Sequence, residues 1–408
     1  MRIPLSKPDI GKHEIDAVLR CLESGRLSLG PLLTAFEQQF AEFVGTRYAV
    51  ATSSGTAALH LCVKALGIGA DDDAITTSFS FVASANCLLY EDARPVFADI
   101  NPHSLNLDPD EIRKVIGRDY VRQRVTKRWV HRASRRTLKA ILPVHVFGLP
   151  CDMEPIVETA REFGLHVIED ACEALGAEYK QRRAGTFGNA ACFGFYPNKQ
   201  LTTGEGGMIV TNDERVANLC RSLRNQGRTD DGGWLHHEHL GYNYRLSELP
   251  CALGLAQLER VEELLTKRQR VARLYSDELS GVPGIELPRE SPEVKRAWFA
   301  YVIQLLERPP AAGRDVLMDA LHDRGIDCRP YFPAIHCQPY FRSFARGSVG
   351  QLRNTESAAG RCLALPFFPS MTDDEVREVC CAVRQVLAQI NGQPDDVLRE
   401  GAPAQVLS

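Results

Sequence analysis

The chain has 408 residues, 44% hydrophobic and 25% charged, and its 48 basic and 52 acidic side chains leave a formal charge of −4. That balance excludes an intrinsically disordered chain and a protein built as a whole to bind polyanions, and no run approaches the ~18–20 apolar residues of a membrane span. MRIPLSKPDIGKHEID at the start lacks the apolar core of a secretory signal. The thirteen cysteines, odd in number and without a Cys-x-x-Cys pair, read as reduced core thiols of a cytoplasmic protein.

Through the first 225 residues, short apolar runs alternate with helical periods. Strands are expected at Tyr48–Thr52, Ala74–Thr77, Pro95–Asp99, Lys139–Val144, His166–Glu169, Ala190–Phe195 and Met208–Thr211. Helices are expected between them at Thr56–Leu66, Val82–Tyr90, Asp108–Ile116, Met153–Phe163 and Glu214–Arg224. This alternation predicts an α/β fold around a mostly parallel central sheet covered on both faces. Ligands of such sheets sit beyond the carboxyl ends of the strands, so the polar residues after each strand are the candidates.

One connection is out of scale. Arg118–Lys139 holds nine basic residues and one acidic, where connections of about 2–6 residues are usual. It reads as a solvated hairpin with Trp129 and Val130 packed down, against two alternatives: a nucleic-acid patch, or a basic flap near an anionic substrate. After Glu248 the pattern changes. Pro250–Leu279 is expected as one long helical region, Trp298–Leu306 as a strand, Arg314–Arg324 as a helix and Asp373–Ile390 as a final amphipathic helix. The organisation expected is a large α/β domain over 1–249, a smaller α+β domain over 250–390 and a flexible tail over 391–408.

Four segments carry chemistry. In Ala51-Thr52-Ser53-Ser54-Gly55-Thr56-Ala57 a strand stops and a helix starts, a place where free N–H groups and the helix dipole can hold a phosphate, or where Ser and Thr merely cap. In Val167-Ile168-Glu169-Asp170-Ala171-Cys172-Glu173 an acid at a strand end could keep a heterocyclic nitrogen protonated, or could cap a helix. Phe193-Gly194-Phe195-Tyr196-Pro197-Asn198-Lys199-Gln200-Leu201-Thr202-Thr203-Gly204-Glu205-Gly206-Gly207 places one lysine after an aromatic strand inside a Gly/Thr-rich turn. A lysine so confined suits Schiff-base chemistry. Gly241-Tyr242-Asn243-Tyr244-Arg245 could serve an anionic group or form a turn. Phosphate turn, acid and lysine in that order amount to a pyridoxal 5′-phosphate site, and Phe81 or Phe79 after the second strand offers a ring to stack on the pyridine. His236-His237-Glu238-His239 lacks HExxH spacing and reads as a solvent loop, so no metal is expected.

From residue 3 to about 390, IPLSKPDI, SGRLSLGP, SSGTAALHL, SFSFVASAN, VHVFGLPCDM, IEDACEALGA, FGFYPNKQLTTGEGGMIVTND, GYNYRLSEL and ALPFFPSMTDDE stand in the order of one family. The chain resembles the DegT/DnrJ/StrS family of pyridoxal-phosphate-dependent sugar aminotransferases, perosamine synthases among them. The resemblance implies the fold type I (aspartate aminotransferase-like) architecture and a homodimer with shared active sites. It casts Lys199 as the lysine that bonds the cofactor, Asp170 as the partner of the pyridine nitrogen, Phe81 as the stacking ring, and Gly55 and Thr56 as the phosphate turn. Asn243 falls where the family reaches the partner subunit's phosphate. Two departures stand out: Gly194 replaces a frequent serine, and Glu173 replaces a frequent glutamine near the cofactor's phenolic oxygen.

The expected reaction moves an amino group from L-glutamate to a nucleotide-linked keto sugar, a 4-keto-6-deoxyhexose by the likeness to perosamine-forming relatives. Arg245, Arg329, Tyr331 and His336 are candidates for the substrate. A cyclic keto-polyol is the alternative acceptor, and a sugar dehydratase or an idle regulatory protein the alternative activity. Lys199, where dehydratase relatives carry histidine, speaks for the transaminase. Neither a nucleic acid nor a membrane is expected as a partner.

Overall fold

The computed structural model describes the chain except for residues 1, 230–235, 290, 307–309, 342, 343, 345–349 and 391–408, so the expected tail lies outside the described residues. The strands of the larger part are β1 (Tyr48–Thr52), β2 (Asp72–Thr77), β3 (Arg94–Ala98), β4 (Tyr120–Arg122), β5 (Trp129–His131), β6 (Thr137–Leu142), β7 (His166–Asp170), β8 (Glu178–Tyr179), β9 (Arg182–Arg183), β10 (Ala190–Gly194) and β11 (Gly207–Thr211). Its helices are α1 (Lys12–Glu23), α2 (Pro31–Val44), α3 (Gly55–Ala65), α4 (Ala83–Leu89), α5 (Pro109–Asp119), α6 (Met153–Phe163) and α7 (Glu214–Arg224).

The main sheet runs β1-β11-β10-β7-β6-β2-β3. From β10 to β3 the neighbours are parallel, while β11 lies antiparallel to both β1 and β10. The reason is the connection: β10 returns to β11 through the Gly/Thr-rich turn with no crossover helix, and a direct return can only pair antiparallel. Apolar side chains fill both faces, with Leu59, Cys62 and Ile209 on one side and Phe36, Phe40 and Phe193 on the other.

Beyond this part come α8 (Glu248–Glu259), α9 (Val261–Leu279), α10 (Pro310–Asp323), α11 (Arg353–Arg361) and α12 (Asp373–Ile390), with strands β12 (Ile285–Glu286), β13 (Val294–Lys295), β14 (Tyr301–Leu305) and β15 (Cys362–Leu365). The order β12-β14-β15 makes a small antiparallel sheet, and β13 joins β8 and β9. The long helix expected over Pro250–Leu279 is two helices, because Arg260 leaves the helical well at φ −109°, ψ 8°. Its guanidinium is drawn to Asp9 and Glu14, a tertiary pull that apolar periodicity does not register. The strand expected from Trp298 pairs only from Tyr301 onward. Helices α1, α2 and α11 and strand β15 were not anticipated from the pattern.

The amino terminus crosses to the second core. Ile3, 1% exposed, packs with Val271, Leu321 and Leu363, and it bridges Ile326. Phe299, Phe332 and Ala364, in return, belong to the apolar cluster of the main sheet. The long connection is a hairpin: β4 pairs β5, and Val130 of β5 pairs Thr137 of β6. Val130 is buried and the Trp129 ring packs 4.7 Å from Phe163. Arg136 bonds to the carbonyls of Ala70 and Asp92, which precede β2 and β3. The hairpin therefore sits at the amino ends of the strands, opposite this subunit's ligand edge, and it is no flap over this subunit's site.

Candidate active site

Strand alternation separates two adjacent carboxylates. Glu169 points into the chain, where it accepts N–H bonds from Gly185 (2.8 Å), Phe187 (2.7 Å) and Gly188 (2.7 Å) and lies 3.1 Å from His145 Nε2. Asp170 points the other way, into a cavity of about 660 Å³ beyond the strand ends. Its Oδ2 accepts from Ser84 Oγ (2.6 Å) and its Oδ1 from the Cys172 N–H (3.1 Å). No helix follows β7, so Asp170 braces a turn rather than capping a helix.

At the start of α3, Ser54 caps with its hydroxyl, which accepts the Ala57 N–H at 3.1 Å. The N–H groups of Gly55 and Thr56 belong to the first turn, have no intrahelical acceptor and border the cavity. The walls come close there. A Cβ on Gly55 would stand 3.1 Å from Cys172 Sγ and 3.2 Å from Gly194 Cα, and one on Gly194 would stand 3.4 Å from Cys172 Cβ and Sγ. The Cys172 side chain thus packs beside position 194.

Lys199 sits in the turn after β10. Its Nζ lies 4.0 Å over the Phe299 ring and 3.5 Å from Glu173 Oε1. Glu173 is buried, its Oε2 accepts the Phe147 N–H (2.9 Å), and that burial pushes its carboxyl above the ordinary range. Tyr331 lines the same cavity and stacks on Phe332 (ring centroids 5.0 Å apart), and burial raises its hydroxyl.

Of the expected residues, Gly55, Thr56, Phe81, Asp170, Glu173, Lys199 and Tyr331 meet in this one cavity. Phe79 does not: it is buried in the core against Phe147 and Phe332, so Phe81 is the ring that faces the cavity. Asn243, Arg245, Arg329 and His336 do not line it. Asn243 is exposed in a bridge with Asn225, and Arg245 donates to Asn225 Oδ1 (3.1 Å). Arg329 is paired with Asp327 (3.2 Å) beside the lining residue Pro330. His336 is shut in a seam, its Nδ1 2.6 Å from Ser78 Oγ and its Nε2 3.2 Å from Glu356. His237 and His239 engage the Gln226 carbonyl and Ser222 instead of converging.

Sequence reading passed over Ser84, Cys172, Phe299 and Asn198. Ser84, Cys172 and Asn198 stood inside quoted motifs, but Ser84 meets Asp170 from 86 residues away and Cys172 serves it through its backbone N–H, so side-chain type gave no signal. Phe299 reaches the cavity only through tertiary packing.

The donor set fits pyridoxal phosphate. A lysine amine, a buried carboxylate oriented by two donors, a helix start with free N–H groups, and the exposed Phe81 ring border one space. Asn198 Oδ1, at the same wall, is a buried acceptor without a partner among the described residues.

The chain is similar to known proteins along most of its length. The model of the DegT/DnrJ/EryC1/StrS aminotransferase family matches residues 8–384. GDP-perosamine synthase of Caulobacter vibrioides is 37% identical over 388 residues, 95% of this chain and 98% of that protein. The spore coat polysaccharide biosynthesis protein SpsC of Bacillus subtilis is 38% identical over 395 residues, 94% of this chain and 97% of that protein. Among solved structures, S. venezuelae DesV in complex with a ketimine intermediate is 34% identical with a TM-score of 0.83, over 94% of this chain and 98% of that one.

Proposed function

The chain belongs to the DegT/DnrJ/EryC1/StrS aminotransferase family and takes pyridoxal phosphate, and on that premise we propose that it moves the amino group of L-glutamate onto a nucleotide-linked keto sugar. The acceptor is a 4-keto-6-deoxyhexose, the reading favoured by the likeness to GDP-perosamine synthase along nearly the whole of both chains. The product would serve surface polysaccharide or natural-product sugar synthesis.

The observation that carries the reading is the Lys199, Asp170 and Glu173 arrangement in one cavity. When bound, the cofactor supplies an aldehyde that links to amines and a ring that accepts the electron pair released at the neighbouring carbon. Lys199 Nζ would hold the cofactor through that aldehyde and, once free of it, would carry the donor's α-proton as general base and acid. Asp170, oriented by Ser84 and the Cys172 N–H, keeps the ring nitrogen protonated. Glu173, its carboxyl pushed above the ordinary range by burial, would repel the phenolic oxygen less than a solvated carboxylate would. The N–H groups of Gly55 and Thr56 take the phosphate.

We assign the working form as a homodimer in the cytoplasm. Phe81 (61% exposed) and Tyr196 (54%) stand open at the cavity, and Asn243 is free to reach a second copy. The scattered and mostly buried cysteines suit a reducing compartment. Arg329 at the rim is the candidate for the nucleotide's diphosphate.

The test is incubation of the holoenzyme with L-glutamate and a panel of nucleotide-linked keto sugars, read by mass spectrometry. Formation of 2-oxoglutarate and an amino sugar in equal amounts is expected. Dehydration of the sugar without 2-oxoglutarate would overturn the reading.

A further inference from the structure

Arg268 lies in the middle of α9, 2% exposed. Among the described residues its guanidinium meets no carboxylate. It donates instead to four backbone carbonyls: Nη2 to Asn198 (3.1 Å) and Lys199 (2.8 Å), Nη1 to Phe299 (3.1 Å) and Trp298 (3.3 Å). Burial pulls its ionisation down to about 10, so it is still a cation at neutral pH.

A buried charge without a counter-ion is costly, and an apolar side chain of similar volume would fill the space more cheaply. Four carbonyl dipoles offset that cost, and only a planar fork can hold them in two pairs. The pairs belong to different stretches. One is the turn that carries Lys199. The other leads into β14 and carries Phe299, whose ring lies 4.0 Å from Lys199 Nζ. Gln200 ties the same two stretches together, bonding to the carbonyls of Glu173 and Ala297 (2.7 Å).

We propose that Arg268 is a positioning residue for Lys199: its guanidinium locks the lysine's backbone to the stretch bearing the Phe299 ring and so sets where the amine stands in the cavity. This rests on the reading of Lys199 as the residue that bonds the cofactor. A lysine at 268 would end in a single nitrogen and could not hold both pairs.

The experiment compares wild type, R268M, R268K and Y275F. The last is a control on the same helix, whose hydroxyl bonds the Pro366 carbonyl (2.8 Å) in the second core. Each apoprotein is mixed with pyridoxal phosphate; the rate at which the visible lysine-bound band grows, the pH midpoint of that band and the melting temperature are recorded. R268M should capture the cofactor about 10–100-fold more slowly, the scale of a small misplacement, with a shifted midpoint. R268K should stay closer to R268M than to wild type. Y275F should lose melting temperature while keeping the wild-type rate and midpoint.

If R268M keeps the wild-type rate and midpoint, or slows no more than Y275F for the same thermal loss, Arg268 is packing alone and the proposal falls. Should R268M not fold, R268K decides by the same two readouts. Borohydride reduction and peptide mapping of the wild type separate the premise: an adduct on a residue other than Lys199 overturns the reading of the lysine and the proposal with it, whereas an adduct on Lys199 with wild-type behaviour of R268M overturns the proposal alone.

Discussion

At the carboxyl ends of the parallel strands, Asp170, Glu173 and Lys199 are drawn out of water, and each is bonded or closely faced by a group that orients it. At the amino ends, the hairpin leaves Arg122, Arg124, Lys127, Arg128, Arg132 and Arg135 in solvent. The second region carries far more charge in far fewer residues. Exposed charges are screened within roughly 8–10 Å at ordinary salt, whereas three enclosed groups act on one another and on whatever enters the cavity. Enclosure and fixed direction, rather than density of charge, distinguish the proposed active site.

The contrast can be broken most forcefully at Lys199. Lys199→Ala should lower transamination by about 10³-fold or more and abolish the borohydride-trapped adduct; a variant that still gives a trapped adduct and wild-type turnover would remove the cavity's claim. Next comes the pair of neighbours on β7. Asp170→Asn should cost on the order of 100-fold in kcat with little change in melting temperature, since an amide cannot hold the ring nitrogen protonated. Glu169→Gln, one residue away on the other face, should destabilise the fold by about 2–4 kcal/mol and leave kcat per folded molecule nearly unchanged. Kinetics and melts on both variants check the split, and similar profiles would count against it.

A smaller effect is expected at Glu173. Its carboxyl is raised above the ordinary 4.5 in the folded chain, so the fold holds that proton more tightly than the unfolded chain does. The stability contributed is full below about 4.5 and is lost as pH rises through the raised value. Glu173→Gln apoprotein should therefore gain on the wild type in melting temperature as pH climbs from about 4.5 toward neutrality; parallel curves would show that the burial does not bear on stability. The smallest effect belongs to the hairpin. Reversing Arg124, Lys127 and Arg128 to glutamate should change stability by no more than about 0.5 kcal/mol and leave kcat unchanged. A large drop in turnover would mean that the hairpin reaches a site in the assembled protein.

Much of this was written locally. The strand over Tyr48–Thr52, the one expected over His166–Glu169 and found to run to Asp170, and the helices over Met153–Phe163 and Glu214–Arg224 follow from short apolar runs and amphipathic periods. Asp170 and Lys199 were legible because one ends a strand and the other stands in the turn after a strand, and strand ends of such sheets converge. The break at Arg260 was hidden because its cause lies about 250 residues away, in Asp9 and Glu14. Phe79 and Phe81 could not be told apart by type, since a loop has no period to say which ring turns inward.

What the amino-acid order determined by itself is the alternation of elements and the chemical kinds placed at their ends, because propensity, periodicity and turn chemistry act over a few residues. Only the tertiary structure decided that Ser84 steadies Asp170, that Phe299 lies under the lysine amine, that Arg268 grips the backbone of both, and that His336 and the basic hairpin stand apart from the cavity. Those outcomes depend on contacts between segments tens to hundreds of residues apart, and close packing of the whole chain is what brings such segments within bonding distance.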